Sequence, residues 1–149
     1  MPSDVDSTQV WKLDASLPSV SGSGEQRVDA AIDELEARGW SPADQFAVRL
    51  ALSEALENAV EHGNKRDKSK KIGLSMEIGD SRFYASVSDE GLGFRQEDAP
   101  DPTAEENIGK ISGRGLFLIR NFMTNVWHND AGNVIFMEKI PTSDEEKKE

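Results

Sequence analysis

The stretch Ile72-Gly73-Leu74-Ser75-Met76-Glu77-Ile78-Gly79-Asp80-Ser81-Arg82-Phe83-Tyr84-Ala85-Ser86-Val87 decides the fold class. Ile72, Leu74, Met76 and Ile78 alternate with small or polar residues, so the apolar side chains fall on one face of an extended strand. Gly79-Asp80 is a two-residue turn signal, and Phe83, Ala85 and Val87 resume the alternation. The pattern predicts a β-hairpin with one apolar face. Helices must then cover that face.

Upstream, Lys65 to Lys71 is a basic loop, which reads more readily as a solvated surface than as a contact for phosphate or a partner. Before it, Ser41-Pro42 opens a helix. Ser41 can cap, Pro42 fits the first helical position and Asp44 lies in the first turn. Phe46, Leu50, Leu52, Ala55, Leu56 and Ala59 carry the apolar period to about His62, and Gly63 marks a stop. Val28, Ala31, Ile32 and Leu35 give a second helix over Glu25 to Arg38, with a stop at Gly39. Gln9 to Leu13 alternates weakly, as an edge strand does. Downstream of the hairpin, Asp89 to Phe94 breaks the strand with two glycines. Arg95 to Ser112 is polar, holds Pro100 and Pro102, and reads as a lid loop. Leu116 to Met123 is a short helix, and Val126 to His128 with Val134 to Ile140 forms a second hairpin. The expected architecture is α+β: a two-layer α/β sandwich, a mostly antiparallel mixed sheet with helices on one face. Residues 9–140 form the domain, between a flexible N-terminus (1–8) and a flexible charged tail (141–149).

The 149 residues suit one domain. A formal net charge of −11 provides no basic footprint for direct nucleic-acid binding. No apolar run approaches the ~20 residues that span a bilayer, and Met1 to Thr8 lacks the cationic character of a leader. Cysteine is absent, which removes disulfides and thiolate metal sites. These features lead to the expectation of a cytoplasmic protein.

Three segments carry chemistry. In the first, Glu54, Asn58 and His62 recur every fourth residue and stack along one helical face. A carboxylate beside an amide suits a hard cation and a reacting hydroxyl, and an amide oxygen can ligate Mg²⁺ without cancelling its charge. The same pair also fits a solvated helix face. The second is Asp89-Glu90-Gly91-Leu92-Gly93-Phe94. Asp89 can accept from an exocyclic amine such as that of adenine, and Gly91 and Gly93 allow a ligand close to the backbone. An ordinary strand-terminating turn has the same composition. The third, Gly113-Arg114-Gly115-Leu116, opens a helix whose free amides and dipole suit phosphate, with Arg114 adding a charge-assisted contact. A flexible lead-in is the alternative.

Together and in this order, the three segments resemble the boxes of the GHKL ATPase superfamily, which includes DNA gyrase, mismatch-repair ATPases, histidine kinases and anti-sigma factor serine kinases. The resemblance covers about residues 9–140 and implies the Bergerat ATP-binding fold. Ser53-Glu54-Ala55, Asn58, His62-Gly63 and the run from Gly115-Leu116 to Asn121-Phe122-Met123 look closest to the anti-sigma factor serine/threonine kinases. Neither His62, inside the first box, nor His128, in a late strand, suits a phosphoacceptor. The length leaves no room for the transducer domain of a gyrase. The resemblance implies Glu54 as general base or orienter of the attacking hydroxyl, Asn58 as the Mg²⁺ ligand and Asp89 as the adenine contact. It implies Gly91, Gly93, Gly113 and Gly115, with Arg114, around the nucleotide. The cofactors would be ATP and Mg²⁺. The partners would be an anti-sigma factor antagonist protein bearing the substrate serine, a sigma factor, and a second copy in a homodimer. A nucleotide-gated binding module without phosphotransfer, and a slow ATPase, are the competing functions.

Overall fold

The computed structural model describes residues 9–91 and 113–142. The lid segment and Gly93 lie outside the described residues, as do both terminal segments for the most part. The described strands are β1 (Trp11–Pro18), β2 (Lys71–Ile78), β3 (Phe83–Ser88), β4 (Asn125–His128) and β5 (Val134–Lys139). The helices are α1 (Glu25–Ala37), α2 (Pro42–Asn58) and α3 (Gly113–Phe122).

The strands form one sheet in the order β1-β2-β3-β5-β4. Every pairing among the described residues is antiparallel, so the sheet carries no parallel pair there. The hairpin forms, but its turn is centred on Asp80-Ser81, closed by the Gly79 N–H to Arg82 O at 2.8 Å, one residue later than the Gly79-Asp80 signal. Ile78 stands opposite Phe83, Met76 opposite Ala85 and Leu74 opposite Val87. These residues share one face, and all are buried. The edge strand is longer than its weak alternation suggests, because Leu13, Ala15 and Leu17 pair with Met76, Leu74 and Ile72 and extend the same apolar face.

The helices cover that face. Ala47, Ala51, Ala55 and Ala59 recur every fourth residue along α2 and its extension and are all buried. Small side chains at this spacing permit close packing, and the nearest backbone neighbours of α2 are α3 and α1. Val28, Ala31 and Leu35 of α1 and Ile119 of α3 complete the core. Full burial of each large aliphatic side chain stabilises by roughly 1.5–3 kcal/mol. Phe46, counted in the apolar pattern of α2, is 59% exposed and instead meets Phe122 edge-on at 5.9 Å. Of the three tryptophans, Trp40 is buried, whereas Trp127 stacks on Phe136 on the open face of the sheet.

The end of α1 and the start of α2 follow from local chemistry. Gly39 adopts φ +83°, which favours glycine, and ends α1. The Ser41 hydroxyl accepts from the Asp44 main-chain N–H at 3.1 Å, and Pro42 is the first helical residue. The Asp44 side chain then does something its position in the first turn does not announce. It is 2% exposed and accepts from the Thr142 N–H at 2.9 Å and the Thr142 hydroxyl at 2.8 Å, with Lys139 Nζ at 3.7 Å. This ties the chain after β5 to the head of α2. No helix among the described residues is long and apolar enough to cross a membrane.

Burial alone would raise the Asp44 carboxyl, but bonds from the Thr142 main chain and hydroxyl, the Lys139 charge and Ser41 outweigh it and hold its pKa below the ordinary value. With a depressed folded-state pKa, the stabilisation is present above the unfolded value of about 4 and is lost as pH falls through the folded one. Asp44→Ala is therefore expected to cost about 2 kcal/mol in urea unfolding at pH 7. The gap between variant and parent should narrow below pH 4. An equal gap at pH 3 and pH 7 would contradict a role for the charge.

Candidate functional site

The buried alanines of α2 fix which of its flanks faces outward near its end. Glu54 and Asn58 stand there one turn apart, each half-buried. The α-helix ends at Asn58, and Ala59–Gly63 continues as a π turn, closed by Asn64 N–H to Ala59 O at 2.8 Å. A π turn winds more residues per turn than an α-helix, so the four-residue register ends at Asn58 and His62 sits in the widened segment. Gly63 is not the left-handed stop that its sequence position suggests. The left-handed residues are Lys65, at φ 52°, and Arg66, at φ 63°.

Gly63 instead permits a close approach. A Cβ on Gly63 would lie 2.1 Å from Asp89 Oδ2, closer than any real contact. Reciprocally, a Cβ on Gly91 would lie 2.0 Å from the Gly63 carbonyl oxygen. The loop after β3 is thus pressed against the end of the helix that carries Glu54 and Asn58. Two of the three sequence segments meet here, through two glycines that lack the atom which would separate them.

Asp89 follows β3 directly. Its N–H donates to Asn133 O at 3.0 Å, and its Oδ1 accepts from the Gly91 N–H at 2.8 Å. Burial raises its carboxyl above the ordinary value; the Gly91 N–H and the Lys70 charge pull the other way without cancelling that effect. A carboxylate in this position gains from a further N–H donor, because a bond to the charged form offsets desolvation. An exocyclic amine on a flat apolar ring has that chemistry.

Asn64 is the residue that sequence reasoning missed. It is 0% exposed. Its Nδ2 donates to Ser19 Oγ and to Lys71 O, both at 3.0 Å, and its Oδ1 accepts from Glu90 N–H at 2.8 Å. The Glu90 carboxylate accepts in turn from the Lys71 N–H. An asparagine between His62-Gly63 and a basic loop carries no local mark of such partners. The basic loop is not uniformly solvated: Arg66 pairs with Glu61, and Lys71 bonds Glu90.

The third segment is described in part. The backbone of Gly113 and Arg114 opens α3, one turn earlier than Leu116, and Gly115 is buried. The surroundings of the Arg114 side chain lie outside the described residues.

Among the described residues no group of three or more His, Cys, Asp or Glu could hold a metal ion. A cation beside Asn58 would therefore take most of its ligands from water and from a bound anion. Mg²⁺ on phosphate oxygens fits that donor set, whereas a metal needing an all-protein cage does not. A separate cleft of about 290 Å³ lies on another flank of α2, lined by Val28, Arg49, Ser53, Leu56, Glu57 and Val60 among others. It contains neither Glu54, Asn58 nor Asp89. We therefore base the site on the junction at Gly63 rather than on this cleft.

Comparison with known proteins gives the family of the chain. Residues 25–139 match the histidine kinase-like ATPase domain family. The chain is 31% identical over 99 residues to the serine-protein kinase RsbW of Bacillus subtilis, a match covering 62% of each chain. It is 33% identical over 82 residues to the anti-sigma F factor of the same organism, covering 53% of this chain and 56% of that one. The chain thus spans less than two thirds of the length of these relatives. In fold it is similar to the solved RsbU and RsbW domains of a Mycobacterium tuberculosis protein, with a TM-score of 0.58 at 21% identity, covering 89% of this chain and 33% of that one.

The junction yields a direct test. Gly63→Ala adds one methyl group where the Asp89 carboxylate stands, and overpacking of this kind costs about 1–3 kcal/mol. The variant should remain folded by circular dichroism while its ATP affinity, measured by calorimetry, drops on the order of tenfold. Unchanged affinity would mean that Asp89 takes no part in the site.

Proposed function

Since the chain belongs to the histidine kinase-like ATPase domain family, we propose that it is a protein serine kinase that binds Mg-ATP, phosphorylates a small antagonist protein and sequesters a sigma factor. The observation that carries this reading is the close approach of Asp89 to Gly63, at the end of the helix that bears Glu54 and Asn58. It joins an acceptor suited to an adenine amine with an amide and a carboxylate suited to the phosphate end. The names of the relatives, a serine-protein kinase and an anti-sigma factor, support the acceptor hydroxyl and the sequestered partner.

Asp89 accepts from the adenine amine. Guanine would present a carbonyl oxygen at that position, which a carboxylate repels, so the site prefers ATP to GTP. Asn58 offers its amide oxygen to Mg²⁺, and the ion, when bound, neutralises charge on the phosphates. The loop beside the base is assigned to Gly91 and Gly93, and the phosphate loop to Gly113, Arg114 and Gly115. In the transfer, the serine oxygen forms a bond to the γ-phosphorus and the bond from that phosphorus to the β–γ bridging oxygen breaks, releasing ADP. Glu54 accepts or orients the proton of the serine hydroxyl. The chain acts as a homodimer in the cytoplasm. The competing reading, a nucleotide-gated binding module, is favoured by one relative that is named for sigma-factor restraint alone.

Glu54 separates the two. Glu54→Gln retains size and hydrogen bonding and removes basicity. It should leave ATP affinity near that of the parent and slow single-turnover transfer to a copurifying antagonist by ~10² or more. Parallel loss of binding and transfer would make Glu54 a structural or metal-site residue. Absence of transfer by the parent chain to any copurifying protein would favour the binding module.

A further inference from the structure

We infer that Asn64 is a positioning residue for the nucleotide, setting how closely the loop of Asp89 stands against the helix of Asn58. The inference rests on the nucleotide reading above and assigns a role to a residue outside the three sequence segments. Asn64 uses both ends of one carboxamide. The two Nδ2 hydrogens go to Ser19 Oγ, just past β1, and to Lys71 O, at the start of β2. The oxygen takes the N–H of Glu90, the residue after Asp89. The Glu90 side chain closes the ring on the Lys71 N–H.

The geometry around this ring is restrictive. Asn64 immediately follows Gly63, whose missing Cβ admits the Asp89 carboxylate, and immediately precedes the two left-handed residues. The chain between the π turn and β2 therefore reverses direction around a buried amide. Of the side chains close to asparagine in shape, none reproduces its bonds. Aspartate keeps the acceptor but replaces the NH₂, and with it both donor hydrogens, by one oxygen that would face the Lys71 carbonyl, with a charge in a fully buried place. Leucine leaves the Glu90 N–H and the Lys71 carbonyl without this partner. Serine is uncharged but too short to span the three groups. A loosened ring frees the Glu90 backbone, and Asp89 moves with it, while Asn58 stays on its helix.

A role through Asp89 differs from mere stabilisation in one readout, the coupling between the two residues. ATP and GTP affinities in the presence of Mg²⁺ are measured by calorimetry for the parent chain, Asn64→Ser, Asp89→Ala and the double variant. Asn64→Ser should lose roughly tenfold in ATP affinity, by the loss of a buried hydrogen bond, together with much of its preference for ATP over GTP. In the Asp89→Ala background the same substitution should add little, because coupled residues are not additive. Ser19→Ala, which removes one partner and leaves Asn64 in place, should act in the same direction by about threefold and carries the test if Asn64→Ser does not fold. A lowered melting temperature with unchanged affinity and preference would overturn the inference. So would an equal loss in both backgrounds. A parent chain that binds no adenine nucleotide would remove the nucleotide reading and this inference with it, whereas a parent that binds ATP as well as Asn64→Ser does would remove the inference alone.

Discussion

The candidate site depends on one steric constraint: the Asp89 carboxylate occupies the space that a side chain at position 63 would fill. A Cβ there would stand 2.1 Å from Oδ2, so the contact exists only while residue 63 is glycine. Gly91 makes the reverse contact against the Gly63 carbonyl. Because the two glycines face each other, the strand-end loop and the helix end share one position in space. The chemistry assigned to each half is useful only at that separation.

The rest of the fold holds this junction in place. The alanine stripe of α2 lets neighbouring elements pack closely on the helix, whose nearest backbone neighbours are α3 and α1. The β2–β3 register sets where Ser88 ends, and therefore where Asp89 begins. The Asp89 N–H is held by Asn133 O at 3.0 Å, just before β5, so the insertion of β5 between β3 and β4 also bears on the site. Asp44 holds the chain after β5 against the head of the same helix. Carboxylates are thus used in opposite ways. Asp44 is saturated with donors and lies below its ordinary pKa, as suits a structural tie. Asp89 has one main-chain donor among the described residues and lies above its ordinary pKa, because burial outweighs that bond.

Much of the fold was legible because its causes are local. Alternation in Ile72–Ile78 and Phe83–Val87 specified both strands and their shared face, and Ser41-Pro42 specified the start of α2. The three segments stood out for the same reason, since residue type and spacing within each segment suffice to suggest a chemistry. What escaped the sequence rests on distant partners. Asn64 meets Glu90 across 26 positions and Ser19 across 45, and Asp44 meets Thr142 across 98. The close approach of Asp89 to Gly63, at the end of the π turn, joins residues distant in sequence, which no local pattern encodes. Phe46 was misassigned because it satisfies the helical period on a flank that the sheet does not reach.

The central claim is that nucleotide binds where the end of α2 meets the loop after β3. Backbone chemical shifts of the isotopically labelled chain, followed as Mg-ATP is added, test it most directly. The account predicts that the largest changes among the described residues fall at Asn58, Gly63, Asn64, Asp89 and Gly91. Changes confined to the cleft around Arg49, Ser53 and Glu57, with the Gly63 junction unmoved, would contradict it.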